Sequence, residues 1–323
     1  MREIVAVDIG GTHARFALAR IGDARVIELA EAATLKTAEY ASFETAWDDF
    51  GRFIGRPLPT ATAIAVAALV QADIIHFTNN PWIIRPPLIC EKLGVEAFSL
   101  VNDFEAVGHA VAQVEADSFQ HLCGPAVALP DKGTISVIGP GTGLGVAHVF
   151  RDGTHYRVQA TEGGHIDFAP LDTTEDQILA HLRKSYRRVS IERVVSGPGL
   201  ADIYEALAAI EGQSVRRFED KALWQLGLSG ENSLAAAAID RFCLSLGSVS
   251  GDIALAQGGS GVVIAGGLGL RIKDALLRSG FAERFRAKGR FEDMMSRIPV
   301  KLITHPQPGL FGAAAAFAME HPE

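Results

Sequence analysis

Short apolar runs and glycine clusters alternate along the chain, and the same order occurs twice. In the first copy, the run Ile4–Asp8 ends at Gly10-Gly11-Thr12, and Arg15–Ala19 then resumes an apolar pattern. In the second copy, the runs Thr134–Ile138 and Val146–Phe150 flank another glycine-rich segment. Short apolar runs bounded by glycine are typical of buried strands. A repeated strand–glycine–strand order with helical segments between the copies predicts two related α/β halves.

The remaining periodicities predict further strands and a larger number of helices. The predicted strands are Thr62–Val70, Phe98–Val101, Gly261–Ala265 and Val300–Thr304. The predicted helices are Phe104–Val114, Thr174–Tyr186, Leu200–Glu211, Leu234–Gln257 and Gly309–Glu320. Phe43, Trp47, Phe50 and Ile54 also recur at the spacing of a helix face.

Composition and charge exclude several classes of protein. The chain has 323 residues, 48% of them hydrophobic, and a formal net charge of −8. This apolar fraction is too high for a disordered chain, and the acidic balance argues against broad nucleic-acid binding. No long uncharged apolar run predicts a membrane span, and the N-terminus lacks the pattern of a signal peptide. Because Cys90, Cys123 and Cys243 lie far apart, they indicate neither a metal motif nor a disulfide framework, which fits a cytoplasmic protein.

The first glycine cluster is a candidate phosphate-binding turn. Gly10 and Gly11 allow a tight turn, and with Thr12 they offer N–H and O–H donors to a phosphate. Asp8, at the predicted strand end, could hold the water shell of Mg²⁺. A plain hairpin turn explains the same residues equally well.

Two later glycine clusters extend this interpretation. The segment Gly139–Gly145 contains Thr142 and Gly143 but matches neither the dinucleotide-binding fingerprint nor the P-loop motif. Gly266 and Gly267 follow a predicted buried strand, where glycine would let an adenine or ribose lie against the backbone. A mobile glycine loop remains the alternative for the first segment, and a simple strand-to-helix turn for the second.

Several polar side chains are candidates for chemistry. Asn102-Asp103 joins a predicted strand to a predicted helix, so it could be a helix cap, a catalytic base with its neighbouring amide, or both. Glu162 and His165 flank a Gly-Gly turn, and Glu192 precedes the turn Ser196–Gly199. Carboxylates and amides of this kind would satisfy sugar hydroxyls, although a polar turn and a solvent-facing Glu192 explain them as well.

The glycine loops together resemble the two phosphate elements and the adenosine element of the actin-like ATPase superfamily. More closely, the chain resembles the bacterial ATP-dependent glucokinases of the enterobacterial type. The matching segments occur in family order: Asp8-Ile9-Gly10-Gly11-Thr12 with Ala14-Arg15, Thr78-Asn79 with Trp82, Leu100–Phe104, Gly141–Gly145, Glu162–His165, Glu192-Arg193 with Ser196–Gly199, and Gly266-Gly267.

This resemblance implies roles that composition and spacing do not. Asp103 would be the base that deprotonates the 6-hydroxyl of D-glucose. Other substrate contacts would come from Asn102, Gly143, Glu162, His165 and Glu192. ATP would lie against Asp8, Gly10, Gly11, Thr12, Thr142, Gly266 and Gly267, with Mg²⁺ held by Asp8 through water.

The resemblance also implies an architecture and a setting. The fold would be the two-domain actin-like (ribonuclease H-like) α/β fold, with a cleft between a small and a large domain. Residues 1–113 plus 306–323 would form the small domain, and residues 114–305 the large one. The enzyme would be a cytoplasmic homodimer without a nucleic-acid or membrane partner, and it would feed glycolysis.

Two departures from the family pattern keep alternatives open. The family's loop with Pro and Gly after the third strand reads Ala67–Asp73 here, without either residue, and His13 stands where the family has Asn. Both positions bear on sugar preference. A kinase for another hexose and a non-catalytic sugar or nucleotide sensor therefore stand beside the glucokinase hypothesis.

Overall fold

Both glycine clusters that precede an antiparallel strand are turns of β-hairpins. The computed structural model describes residues 1–68, 70, 72–77, 80–216 and 218–322. The first hairpin pairs Ile9 with Ala14 at its end, and the second pairs Pro140 with Leu144. In each hairpin the first strand continues the sheet on its other side by parallel pairing. The predicted strand–glycine–strand duplication and the mixed α/β class are confirmed.

The elements follow in this order along the chain. The strands are β1 (Arg2–Ile9), β2 (His13–Gly22), β3 (Arg25–Leu29), β4 (Ala33–Lys36), β5 (Ala61–Val66), β6 (Ile75–His76), β7 (Ile83–Ile84), β8 (Ala97–Asn102), β9 (Phe119–Cys123), β10 (Lys132–Pro140), β11 (Leu144–Asp152), β12 (His155–Thr161), β13 (Gly259–Ile264) and β14 (Val300–Ile303). The helices are α1 (Phe43–Ile54), α2 (Ile89–Leu93), α3 (Asp103–Gln113), α4 (Thr173–Leu182), α5 (Gly199–Ile210), α6 (Asp220–Ser229), α7 (Ser233–Gln257), α8 (Gly266–Arg271), α9 (Lys273–Arg278), α10 (Phe281–Arg286), α11 (Glu292–Met295) and α12 (Pro308–Glu320).

The two larger sheets share one pattern of strand pairing. The first has the order β3-β2-β1-β5-β8, with β4 also pairing β2, and the second has the order β12-β11-β10-β13-β14-β9. In both, an antiparallel hairpin leads into parallel strands: β1, β5 and β8 in one, and β10, β13 and β14 in the other. The carboxyl ends of such parallel strands are where α/β proteins bind ligands.

The chain divides into two compact units. Residues 1–115, 158–160 and 305–323 form the first unit, and residues 116–157 and 161–304 form the second. The predicted domains 1–113 plus 306–323 and 114–305 stay a prediction, because this division does not test whether either part folds alone.

Two apolar clusters cover the two faces of the first sheet. On one face, Phe16 packs with Phe43 and Phe50 of α1. On the other face, alanine-rich α12 lies against β1, β5 and α3. A Cβ built at Gly312 of α12 would collide with the backbone oxygen of Ala106 in α3, so these helices meet backbone to backbone. The sheet that carries the ends of β1 and β8 is therefore packed on both faces.

The second unit is built around the long helix α7. The Asn232 side chain accepts a hydrogen bond from the Ala235 N–H at 2.8 Å and caps the start of α7. Gly258 ends the helix at φ 64°, a left-handed conformation that glycine adopts without strain. Gly247 and Gly251 of α7 lie against the backbone oxygens of Phe281 and Phe285 in α10. The predicted helix Leu234–Gln257 is confirmed.

Two predicted elements extend too far. The strand predicted at Thr62–Val70 ends at Val66, because the Ala67 N–H donates to the oxygen of Ile9, the last residue of β1, and β1 offers no further partner. The helix predicted at Thr174–Tyr186 ends at Leu182. After Leu182 the chain continues as a turn, in which the Tyr186 N–H donates to the Leu182 oxygen at 2.9 Å. The Tyr186 Oη donates to Asp202 of α5 at 2.9 Å.

Several elements were not predicted, notably the edge strands β9 and β12 and the short helices α8 to α11. Among the residues described, the structure contains no helix that combines the length and the apolar character needed to cross a bilayer.

Candidate active site

The turn between β1 and β2 is held in place through its carbonyl oxygens. Asn80 donates from Nδ2 to the Gly10 oxygen at 3.2 Å, and Thr37 donates from Oγ1 to the Gly11 oxygen at 3.1 Å. The Thr37 N–H also donates to the Thr12 oxygen at 3.1 Å. Other parts of the chain thus hold the backbone of the predicted phosphate-binding turn, while the Thr12 side chain is exposed.

Asp8 lies directly beside this turn, on β1. Its carboxylate pairs with Arg15 across the hairpin, with 3.1 Å between Oδ2 and Nη1, and the Asp8 side chain is only 17% exposed. Burial raises the pKa of Asp8 above its usual range, and the Arg15 guanidinium opposes that rise. A Cβ at Gly309 would lie 2.8 Å from Asp8 Oδ2, so the first turn of α12 makes room for the carboxylate. A helix N-terminus favours a negative charge at such a position.

Asn102 is the N-cap of α3. Its Oδ1 accepts hydrogen bonds from the N–H groups of Phe104 and Glu105 at 2.8 and 3.3 Å. Its Nδ2 donates to the Ala68 oxygen at 3.3 Å. The cap role that the sequence left open between two residues therefore belongs to Asn102, and the amide also ties α3 to the segment after β5.

Asp103 is the first residue of α3 and is partly buried. Its Oδ1 accepts a hydrogen bond from the Phe104 N–H at 2.9 Å. Burial, followed by the negative charge of Asp8, raises the pKa of Asp103 to about 6. A carboxylate with this pKa is mostly ionised at neutral pH and is more basic than an ordinary aspartate, which suits a general base.

The Asp8–Asp103 pair suits a cation that also binds phosphate. No group of three or more potential metal-ligating side chains occurs in the described part of the chain. Mg²⁺ in phosphoryl-transfer sites needs only one or two carboxylates together with phosphate oxygens and water. The two carboxylates are near enough for the charge of Asp8 to raise the pKa of Asp103. A divalent cation would relieve that repulsion.

In the second unit, hydrogen bonds from the segment that follows α4 hold the turn between β10 and β11. The Gly141 N–H donates to the Gly143 oxygen at 2.8 Å, and the Gly197 N–H donates to the Gly141 oxygen at 2.7 Å. Glu192 accepts a hydrogen bond at Oε2 from the Leu144 N–H at 2.9 Å. The predicted nucleotide residue Thr142, at the tip of this turn, is exposed.

Glu162 and His165 lie at either end of a 3₁₀ turn and are largely exposed. Their side chains approach to 3.8 Å between Oε2 and Nε2, and they are 74% and 57% exposed. Gly164, between them, packs so closely that a Cβ there would collide with the Leu144 oxygen. This turn therefore rests on the same residue that donates to Glu192.

Gly266 and Gly267 follow β13 at the start of α8. The Ala265 N–H donates to the Ile138 oxygen at 2.8 Å, which holds this junction beside β10. Gly266 has φ 84°, and a Cβ there would lie 2.9 Å from the Pro140 oxygen. A Cβ at Gly267 would meet open space. The backbone at Gly267 is therefore not covered by a side chain, which would allow a flat ligand to lie against it.

The structure thus groups the predicted site residues in two sets. The first unit holds Asp8, Gly10, Gly11, Thr12, Asn102 and Asp103, and the second holds Thr142, Gly143, Glu162, His165, Glu192, Gly266 and Gly267. The quoted pair Thr78-Asn79, as well as Leu69 and Gln71 of the divergent loop, lie outside the described residues.

Sequence reasoning missed the residues that support these turns, namely Thr37, Asn80 and Gly309. Asn80 is 6% exposed and accepts from the Trp82 N–H at 3.0 Å while it donates to Gly10. Its place directly after the matched pair Thr78-Asn79 is the one local signal that could have pointed to it.

Comparison with known proteins identifies the class and then the family. A glucokinase from an Antarctic psychrotroph superposes with a TM-score of 0.87 at 33% identity, covering 98% of both chains. A ROK-family glucokinase from Streptomyces griseus, solved with glucose and AMPPNP, has the same fold at a TM-score of 0.64 and 18% identity, covering 99% of this chain and all of that one. The fold is therefore the two-domain actin-like fold of sugar kinases, as predicted.

Sequence relatives narrow this class to one family. The family model described as Glucokinase matches residues 5–320. A curated glucokinase from Zymomonas mobilis is 59% identical over 321 residues, which cover 99% of this chain and 99% of the relative. The chain belongs to the glucokinase family.

Proposed function

We propose that this protein transfers the terminal phosphoryl group of ATP to the 6-hydroxyl of D-glucose, with Asp103 as the general base. Family membership and the full-length similarity make the chain an ATP-dependent glucokinase. The observation that supports the role of Asp103 is its basicity: a partly buried carboxylate at the start of α3 with a pKa of about 6.

The reaction needs little covalent chemistry from the protein. The oxygen of the 6-hydroxyl would attack the terminal phosphorus of ATP while Asp103 accepts the proton of that hydroxyl. ADP would leave with the bridging oxygen. Asn102, Gly143, Glu162, His165 and Glu192 would bind the sugar. Directional hydrogen bonds to the other hydroxyls would fix the position of the reacting one, and correct positioning is a large part of catalysis.

ATP would be bound mainly by backbone groups. The turn residues Gly10, Gly11, Thr12 and Thr142 would surround the phosphates, and Gly266 with Gly267 would bind the adenosine. Rigid turns suit this role, because donors that are already in place cost no reorganisation when negative charge develops.

Asp8 would hold Mg²⁺ through water. The ion would supply positive charge that neutralises the transferring phosphoryl group. Asp8 is suited to this by its position next to the Gly10–Thr12 turn, and Arg15 keeps its carboxylate oriented.

We also propose a cytoplasmic homodimer that supplies glucose 6-phosphate to glycolysis. Cys90, Cys123 and Cys243 are free thiols, which fits a reducing compartment. Sedimentation of the purified protein would test the dimer directly.

A kinase for another hexose is the alternative that a specific observation supports. Ala68, in the divergent segment, accepts a hydrogen bond from Asn102, a proposed sugar contact. The family match favours an active enzyme over a non-catalytic sensor.

The test of the proposed function is ADP release from wild type and Asp103→Asn with glucose, mannose and glucosamine. We expect glucose to be the preferred substrate. The variant should lose about 10²–10⁴-fold in kcat while it still binds glucose, because the amide keeps the shape of the carboxylate without its basicity. Wild-type turnover in the variant would remove Asp103 from the mechanism, and a preference for another hexose would correct the substrate.

A further inference from the structure

The Glu192 carboxylate, a proposed sugar contact, forms a hydrogen bond to a proposed phosphate turn. Oε2 accepts the Leu144 N–H at 2.9 Å, at the point where the β10–β11 turn ends and β11 begins. Within the described residues, the second oxygen, Oε1, makes no hydrogen bond. One carboxylate therefore has one oxygen fixed to the turn and one oxygen available to a ligand.

The contact between Glu192 and the turn is very close. A Cβ built at Gly143 would collide with Glu192 Oε2, so glycine at this position is what allows the carboxylate to reach the Leu144 N–H. Open space surrounds a Cβ at Gly141, in the same turn. The carboxylate therefore needs glycine at position 143, whereas it does not need glycine at position 141.

The segment that carries Glu192 is itself well fixed. The Ile191 N–H donates to the Ile166 oxygen at 2.8 Å, which joins it to the turn that carries His165. A few residues later, the Gly197 N–H donates to the Gly141 oxygen at 2.7 Å. The segment from Ile191 to Gly197 is therefore hydrogen-bonded to both ends of the turn, at Gly141 and at Leu144. A movement of Glu192 would displace the turn.

We propose that Glu192 is a positioning residue that couples sugar binding to the nucleotide turn. A sugar hydroxyl bound to Oε1 would immobilise the carboxylate. Through Oε2 the carboxylate would then fix Leu144, and with it the turn that carries Thr142, in the geometry that receives ATP. The inference rests on the proposed function, since it takes Glu192 as a sugar contact and Thr142 as a phosphate contact. By linkage, glucose should tighten nucleotide binding and nucleotide should tighten glucose binding by the same factor.

The test is a calorimetric titration of the full-length protein with AMPPNP, with and without saturating glucose. We expect glucose to tighten AMPPNP binding about tenfold in wild type, a typical coupling between two sites. Gly143→Ala should reduce this ratio to near one, because the added methyl group displaces the flexible carboxylate from the Leu144 N–H. Gly141→Ala is the matched control and should keep the wild-type ratio.

Two further variants separate positioning from loss of a ligand. Glu192→Gln keeps an oxygen that can accept from the Leu144 N–H, so it should retain most of the coupling even if glucose binds more weakly. Glu162→Gln changes another proposed sugar contact that is 74% exposed, and it should raise the KM for glucose without changing the ratio.

The outcomes discriminate between the inference and the proposed function. A Gly143→Ala variant with the wild-type ratio, or a wild type with a ratio of one, would overturn the coupling. A wild type that shows the ratio but does not phosphorylate glucose would support the coupling and would overturn the proposed activity, since AMPPNP binding requires no turnover.

Discussion

The two hairpins share a backbone plan but differ in charge. In the first hairpin, the second-to-last pair before the turn is Asp8 opposite Arg15. In the second, the corresponding pair is Gly139 opposite Gly145. In the first unit the parallel strand β8 ends at Asn102 and α3 begins at Asp103. Asp103 and Asp8 are both partly buried.

The second unit instead keeps its proposed recognition groups near the surface. Thr142, Glu162 and His165 are exposed, and Glu192 is only partly buried. A buried charge is costly and acquires a shifted pKa, whereas an exposed polar group can exchange water for a sugar hydroxyl at little cost. The two units therefore share a hairpin frame, whereas the carboxylates proposed for acid–base chemistry lie in the first unit only.

The largest expected effects are on stability, and they test whether close helix packing matters equally in the two units. Gly312→Ala in the first unit and Gly247→Ala in the second should each lower the free energy of unfolding by about 1–3 kcal/mol, because each added Cβ collides with a backbone oxygen of the neighbouring helix. Urea denaturation measures the change. Gly51→Ala in α1 is the control: its Cβ would meet Leu58 at an ordinary 3.5 Å, so it should gain about 0.5–1 kcal/mol. Neutral behaviour of both collision variants would contradict the proposed close packing.

A pH profile tests whether the chemistry lies in the first unit. Asp103 must be ionised to accept a proton, and its pKa is raised to about 6. We therefore expect kcat/KM for glucose to be constant above about pH 7 and to fall about tenfold per pH unit below the pKa. Initial rates at saturating ATP give the profile. Glu162→Gln in the second unit should keep the same acid limb, and an activity that is constant down to pH 5 would rule out Asp103 as the base.

The smallest effect concerns the support of the first turn. Asn80→Ala removes the hydrogen bonds to the Gly10 oxygen and from the Trp82 N–H, and should raise the KM for ATP about three- to tenfold, since each buried bond contributes about 1 kcal/mol. Steady-state kinetics with varied ATP measure this. Asn232→Ala, which removes the cap of α7, should cost about 1 kcal/mol of stability and leave the KM for ATP unchanged. Equal effects of the two variants on KM would show that Asn80 acts through stability alone.

The sequence predicted those parts of the fold that depend on local pattern. The apolar runs of β1, β10 and β13 are buried on both faces, so they stand out as unbroken runs. The boundaries of α7 follow from Asn232 and Gly258, whose capping roles are local. The strand β12 reads HYRVQAT, largely polar and exposed on alternate residues, and its short apolar content gave no comparable signal.

The residues of the candidate site also differ in whether local sequence reveals them. Asp8, Asn102 and Asp103 could be selected because each lies beside a turn or a strand end that is visible in the sequence. The links between Thr37 and Gly11, and between Glu192 and Leu144, could not be foreseen, because they join residues far apart along the chain. The raised pKa of Asp103 depends on Asp8 and on burial, which only the packed structure supplies.

Helix α12 has a consequence for the order in which the molecule is made. It belongs to the same unit as β1, although the whole second unit precedes it in the chain. During synthesis, one apolar face of the N-terminal sheet therefore lacks its covering helix until α12 leaves the ribosome. During that interval the face is a natural target for chaperones and a risk for aggregation. Deleting α12 should leave an insoluble product, however well the rest of the chain is translated.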